Sequence, residues 1–101
     1  MKSESMHPFR QLDKLLESRV RLALMAMLVA ADWVDFTTFK DELALSDGNL
    51  ASHLRKLEDA KYLEARKAFV SRKPLTSYRA TELGRERFGK HVEALAAMIG
   101  K

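Results

Sequence analysis

Between Ser46 and Leu57 the chain reads Ser-Asp-Gly-Asn-Leu-Ala-Ser-His-Leu-Arg-Lys-Leu, a run rich in groups that could bind a polyanion and read its edges. Asn and Ser can hydrogen-bond base edges, Arg can bond guanine bidentately, and Lys and Arg neutralise phosphates. Such groups act together only when a rigid element holds them on one side. At 100° per residue, Leu50, Leu54 and Leu57 fall within about 60° of arc, while Gly48, Asn49, Ser52, Arg55 and Lys56 lie opposite. Ser46 suits the N-cap and Asp47 the positive end of the helix dipole, so the run predicts an amphipathic helix from about 46 to 60 with one free polar face. A solvated surface helix carries the same pattern. Asn49 is early enough to be a cap or a base reader, and His53, at the edge of the leucine stripe, suits a structural or phosphate-facing role rather than catalysis or metal binding. Asp59 would repel phosphate and marks the end of the surface.

The flanking charge favours contact over mere solvation. From Ala51 to Lys90 eleven cations stand against five acids, whereas the first fifty residues carry six cations and eight acids. This asymmetry points to a polyanion partner for the second half. Within that half, Tyr62–Val70 predicts a strand with Leu63, Ala65 and Phe69 inward, Ser71–Thr76 a polar break, and Ser77–Ala80 a returning strand. The whole is a hairpin at about 62–80, with Arg72 and Lys73 at a tip free to meet phosphate or a minor groove.

The elements that must hold this surface follow from the rest of the 101 residues, enough for one domain with one modest core. Phe9, Leu12, Leu15 and Leu16 predict a first short helix over 8–16 behind Pro8. Ser18 opens a second helix, apolar on most sides and so the centre of the core, its methionines ordinary packing. A very short strand is expected at Trp33–Phe36. Thr37 or Asp35 then caps a third helix, with Phe39, Leu43, Leu50 and Leu54 joining it to the next one as a helix-turn-helix. Thr81 caps a last helix over 81–99 whose apolar end packs either on the first helix or on a second copy. The fold class expected is mainly α with a small β-hairpin, α+β.

Several functions are disfavoured. There is no cysteine, hence no disulfide, thiolate metal site or cysteine catalysis, and a cytoplasmic location fits. The N-terminus lacks an apolar signal core, and the longest apolar run, Leu22 to Ala31, is ten residues, too short to span a membrane. Ser52 and His53 are adjacent and point about 100° apart, so they cannot pair as nucleophile and base. With no phosphate-cradling glycine loop or carboxylate pair, an enzyme is not expected, and no cofactor is implied. RNA binding would ask for stacking aromatics on an open surface, whereas Tyr62, Phe69 and Tyr78 read as hairpin or core packing. A protein-interaction module without DNA binding is the main alternative.

Ser18-Arg19-Val20-Arg21-Leu22, the run from Leu45 through Glu58, and Thr81-Glu82-Leu83-Gly84-Arg85 after the hairpin, in this order, resemble a winged helix-turn-helix transcriptional regulator of the MarR/ArsR type. The likeness is to the small single-domain subgroup with a Gly-Asn-Leu-x-x-His-Leu-x-x-Leu recognition helix. It implies a homodimer on double-stranded DNA, a repressor on a pseudo-palindrome, with Ser46, Asn49, Ser52, His53, Arg55, Lys56, Arg72 and Lys73 at the DNA. It further implies dimerisation through the terminal helices, by Phe9, Leu12, Leu16, Val92, Leu95, Met98 and Ile99. Metal-sensing relatives use cysteine or clustered His and acidic ligands, while His7, His53 and His91 are scattered, so no metal is expected. No effector ligand is implied.

Overall fold

Ser18, Asp35, Ser46 and Thr81 start four helices by one device, a side-chain oxygen accepting from the backbone N–H three residues on, at 3.2, 2.8, 3.2 and 3.0 Å. The computed structural model describes residues 7–100. The helices are α1 (Arg19–Ala30), α2 (Phe36–Leu43), α3 (Asp47–Asp59) and α4 (Glu82–Met98), and the strands are β1 (Val34–Asp35), β2 (Leu63–Val70) and β3 (Lys73–Ala80). Asp35 ends β1 and caps α2, which leaves no room for a loop between them. Ala44, in the left-handed region at φ 53°, stops α2 and turns the chain toward Ser46.

The strands form one antiparallel sheet in the order β1-β3-β2, with Leu63 opposite Ala80 and Val34 opposite Tyr78. Side chains alternate between sheet faces, so Leu63, Tyr78, Ala80 and Val34 share the face against the helices. There they meet Leu16, Leu24, Met25, Leu28, Phe39, Leu50, Leu54 and Leu57 in one core. Helix α1 supplies its centre, with Leu24, Met25 and Leu28 fully buried. The expected helix-turn-helix contact is present: Phe39, Leu50 and Leu54 are buried, and Leu43 packs at the edge.

Residues 8–16 differ from the expected helix. They make two 3-10 turns, Pro8–Gln11 and Lys14–Leu16, separated by extended backbone at Leu12 and Asp13. The cause is Asp13, whose carboxylate accepts from the Leu15 N–H at 2.9 Å and from the Tyr62 hydroxyl, so the side chain competes with helical backbone bonds. The Asp13 N–H donates to His91 Nδ1 at 2.9 Å, and His91 is 2 % exposed. One aspartate thus ties the N-terminal segment to α4 and to the base of the hairpin. Burial first, then the bond to Asp13, pushes the Tyr62 phenol up to about 12, so it stays protonated as the donor. Leu16, expected at a dimer interface, is instead 1 % exposed in the protomer's own core, and Leu12 is half-buried.

The hairpin keeps its expected bounds, but its returning strand starts earlier than expected. Its ladder runs to Val70 opposite Lys73, so Lys73 and Pro74 belong to β3 and the turn is only Ser71-Arg72. β1 reaches no further than Ser77, leaving one side of β3 open at Pro74, where a missing N–H is tolerated. Ser71 and Arg72 lie at φ 52° and 68°, as a two-residue hairpin turn of type I′ demands. Ala65 and Phe69 do not face inward to any core. They share Leu63's face by parity, but the ribbon outruns the helices and both are exposed. The domain is accordingly drawn out, with extents of 60 × 25 × 21 Å.

Candidate nucleic-acid interface

Helix α3 is anchored on three sides. Its leucines enter the core, its C-terminal half leans on β2, and its first turn is tied to α2 by Lys40 Nζ to Asp47 Oδ1 at 2.9 Å. That bond raises the Lys40 pKa, so the tie persists as an ion pair through the neutral range. What remains outward is the face the helical period selects: Asn49, Ser52, Arg55 and Lys56 are all exposed. Gly48, Ala51, Ser52, Arg55, Lys56 and Asp59 line one shallow depression along this face. Its middle is low because Gly48 and Ala51 are small, so another surface can approach the helix backbone. Ser46 is exposed at the start of the helix, its hydroxyl accepting from the Asn49 N–H. Asn49's side chain is therefore relieved of capping.

His53 is half-buried between this face and the core, with Nδ1 2.9 Å from a guanidinium nitrogen of Arg21. Arg21 Nε donates at 2.6 Å to the Leu15 carbonyl, so α1 holds the ring from behind. Arg21 stands in the run that opens α1, but the sequence gives it no partner, since no local pattern joins positions 32 residues apart. Burial above all, then the charges of Arg21 and Lys56, lower the His53 pKa below its usual 6.5, and the neutral ring accepts from Arg21. A depressed histidine contributes stability that is present above 6.5 and is lost as pH falls through the folded-state value. The chain is therefore expected to lose urea resistance as pH falls below 6.5, and a His53→Gln variant to lose less. An NMR titration placing His53 at or above 6.5 would contradict this.

The hairpin's cations sort into two groups. At its base, the Arg66 guanidinium stacks on Trp33 with its carbon 3.9 Å from the ring centroid, and Arg79 lies 5.5 Å away on the same ring while pairing with Asp32 at 3.7 Å. These two stiffen the join between ribbon and body. Toward the tip, Lys67, Arg72 and Lys73 make no ion pair among the described residues, and neither do Arg55 and Lys56 on α3. The ribbon leaves the body beside α3, which packs on β2; by strand parity Lys67 shares the face of Leu63, Lys73 lies on the other face, and Arg72 sits in the turn. A capped helix with a free polar face, held by a preceding helix and followed by a two-stranded basic ribbon, is a helix-turn-helix with a wing.

A family model for the winged helix DNA-binding domain matches residues 20–99. The chain belongs to the winged helix DNA-binding domain family. This winged-helix chain is 33% identical over 79 residues to an uncharacterized protein of Methanocaldococcus jannaschii, covering 78% of this chain and 86% of the relative. It superposes on a transcriptional regulator homologue from Pyrococcus horikoshii OT3 with a TM-score of 0.84 and 29% identity, over 93% of this chain and 95% of that one. Bacillus subtilis PadR in complex with operator DNA shares the fold, with a TM-score of 0.65 and 13% identity over 72% of this chain and 46% of PadR. The matched span holds every element of the winged helix from α1 through α4. Among its described residues no helix is long and apolar enough to cross a membrane, and no group of three or more His, Asp or Glu could hold a metal ion.

Proposed function

We propose that this winged-helix protein is a sequence-specific regulator of transcription that binds a pseudo-palindromic operator in double-stranded DNA as a homodimer and represses by occupying it. The observation that carries the reading is the pairing of α3's open polar face with a wing tip that keeps Arg72 at φ 68°. A non-glycine residue in that region costs about 1 kcal/mol or more, and glycine would sit there freely. Retaining a cation against that cost fits a tip that meets phosphate. In this reading Asn49, Ser52 and Arg55 face base edges, Lys56, Arg72 and Lys73 face the backbone, and Ser46 and His53 position the helix. That Bacillus subtilis PadR was solved on operator DNA with this fold supports the choice of duplex over other polyanions. The dimer rests on a stripe of α4 left open among the described residues: Val92, Leu95, Met98 and Ile99 are all exposed, with Phe9 exposed as well. Two copies joined there would place their recognition helices in successive major grooves, ~34 Å apart. Repression needs nothing beyond occupancy of a promoter.

The test is binding to a pool of random duplexes at several salt concentrations, followed by the Arg72→Ala/Lys73→Ala variant on the enriched sequence. The wild type is expected to enrich an inverted repeat and to bind less tightly as salt rises. Removing two phosphate contacts from each protomer, four from the dimer, should weaken binding to all duplexes alike and flatten the slope of log affinity against log salt by ~4. A folded double variant with unchanged affinity and slope would remove the wing from the interface.

A further inference from the structure

The distal half of the wing exposes apolar groups where a ribbon serving only phosphate would need none. Phe69 is 78 % exposed and Val70 54 % exposed, and Phe69 stands directly opposite Pro74 in the ladder. From Ala65 to Ala80 there is no acidic residue, and Lys67, Arg72 and Lys73 lie within four positions of this aromatic, Lys67 on its own sheet face. A second ribbon of equal charge is a poor partner for it, because joining two such tips gathers like charges. A polyanion with apolar surface between its charges is a good one, and the minor groove of duplex DNA offers sugar and base edges between two phosphate rows. The reach is right as well. Six residues of extended chain carry Phe69 ~20 Å from Leu63, where β2 leaves the core. Half a helical turn, ~17 Å, separates a major groove from the adjoining minor groove. Parity places Phe69 on the sheet face that packs on α3, so it faces the side from which α3 would meet the duplex.

We propose that Phe69, backed by Pro74, is an apolar wedge that enters the minor groove beside each half-site and partly unstacks one base step, bending the duplex. This rests on the DNA-binding reading above and adds to it a specificity element that touches no base edge. Pyrimidine–purine steps open most readily, so the operator would carry one at the wing position although no donor or acceptor reads it. Arg72 and Lys73 then hold the phosphates on either side while the ring occupies the step.

The experiment uses the full chain and a duplex enriched by it, labelled at both ends for energy transfer and carrying 2-aminopurine at successive wing-proximal steps. The wild type should shorten the end-to-end distance and brighten the probe at one step per half-site. Phe69→Ala should lose both signals and bind roughly 5- to 100-fold more weakly with an unchanged salt slope, and Phe69→Leu should restore part of each. Phe69 supports no core, so both variants keep the thermal transition of the parent. Wild-type binding with a straight duplex and a dark probe, or a Phe69→Ala variant that still bends it, overturns the wedge while leaving the DNA reading intact. Absence of any duplex binding by the wild type at low salt would end the DNA reading first. A Phe69→Ala variant that bends DNA normally but loses self-association, or loses sedimentation with anionic phospholipid vesicles, would assign the ring to those partners instead.

Discussion

Gly84→Ala is expected to destabilise the domain by ~3 kcal/mol or more, a large part of the stability of a chain this size. A methyl group at this position would stand 2.0 Å from the Tyr62 carbonyl oxygen, 2.8 Å from its carbon and 3.0 Å from Met25 Cε. The methionine end can move aside. The carbonyl cannot, because it accepts the Thr81 N–H at 3.0 Å where the chain passes from β3 into α4. Relief therefore requires α4 to lift from the base of β2, and two further bonds oppose that. Thr81 Oγ1 accepts from the Gly84 N–H and donates at 2.6 Å to the Lys61 carbonyl, so cap, strand start and helix start are one bonded unit. Alanine's better helix propensity, ~1 kcal/mol, offsets only part of the loss. Gly48→Ala is the control: no atom lies within 4 Å of the added methyl, and the same propensity gain should leave stability equal or slightly higher. Urea unfolding followed by circular dichroism measures both. Equal midpoints for the two variants would mean that α4 moves without cost.

Gly84 also shows why the last helix was half legible. Sequence leaves its apolar end, with Val92, Leu95, Met98 and Ile99, to pack on the first helix or on a second copy; in the structure these four are exposed, the fully buried positions are Gly84, His91 and Ala94, and Leu83 and Phe88 are partly buried against the core. At Gly84 α4 approaches the chain at Tyr62 too closely for any larger residue, His91 is placed to receive the Asp13 N–H, and Leu83 and Phe88 pack at the edge of the core beside them. Composition cannot report which of the larger side chains point away from the protomer. The four N-caps behaved differently: a Ser, Asp or Thr just before an amphipathic run satisfies a local need, and local needs are readable. The recognition helix was legible for that reason, from Ser46 to its outward Arg55.

What escaped the sequence was every feature set by distant partners. Asp13 breaks an otherwise helical apolar pattern only because Tyr62 and His91 lie against it. The wing turn was missed because Ser71-Arg72 lacks the Asn-Gly signature that normally marks a type I′ turn, and the longer returning strand followed from that turn. Trp33 reads as an ordinary strand former, and only the sheet order brings Arg66 and Arg79 over its ring. The division of the wing into engaged cations at the base and open ones at the tip is a result of topology, and it narrows the expected phosphate contacts to the tip.

The largest effect on function is expected from a change far from DNA. Leu95→Asp with Ile99→Asp should halve the mass in solution and weaken binding to a two-half-site duplex by ~10²- to 10⁴-fold, while binding to a single half-site changes little. Val92, Leu95 and Ile99 fall within about 60° on one side of α4, wide enough to form a seam with the same stripe of a second copy. In a two-fold arrangement each aspartate would meet the partner's apolar stripe, and an unpaired carboxylate buried there costs more than the contact yields. Ile99 is 72 % exposed and Leu95 38 %, so neither aspartate is buried in the isolated protomer and its fold should survive. The thermal transition of the wild type should rise with protein concentration, and that of the variant should not. Losing the dimer removes the linkage between half-sites, so the second recognition helix must bind as a separate molecule. A variant of unchanged mass and unchanged operator affinity would show that copies meet elsewhere or not at all. A variant of halved mass with full affinity would show that each winged helix reads its site alone.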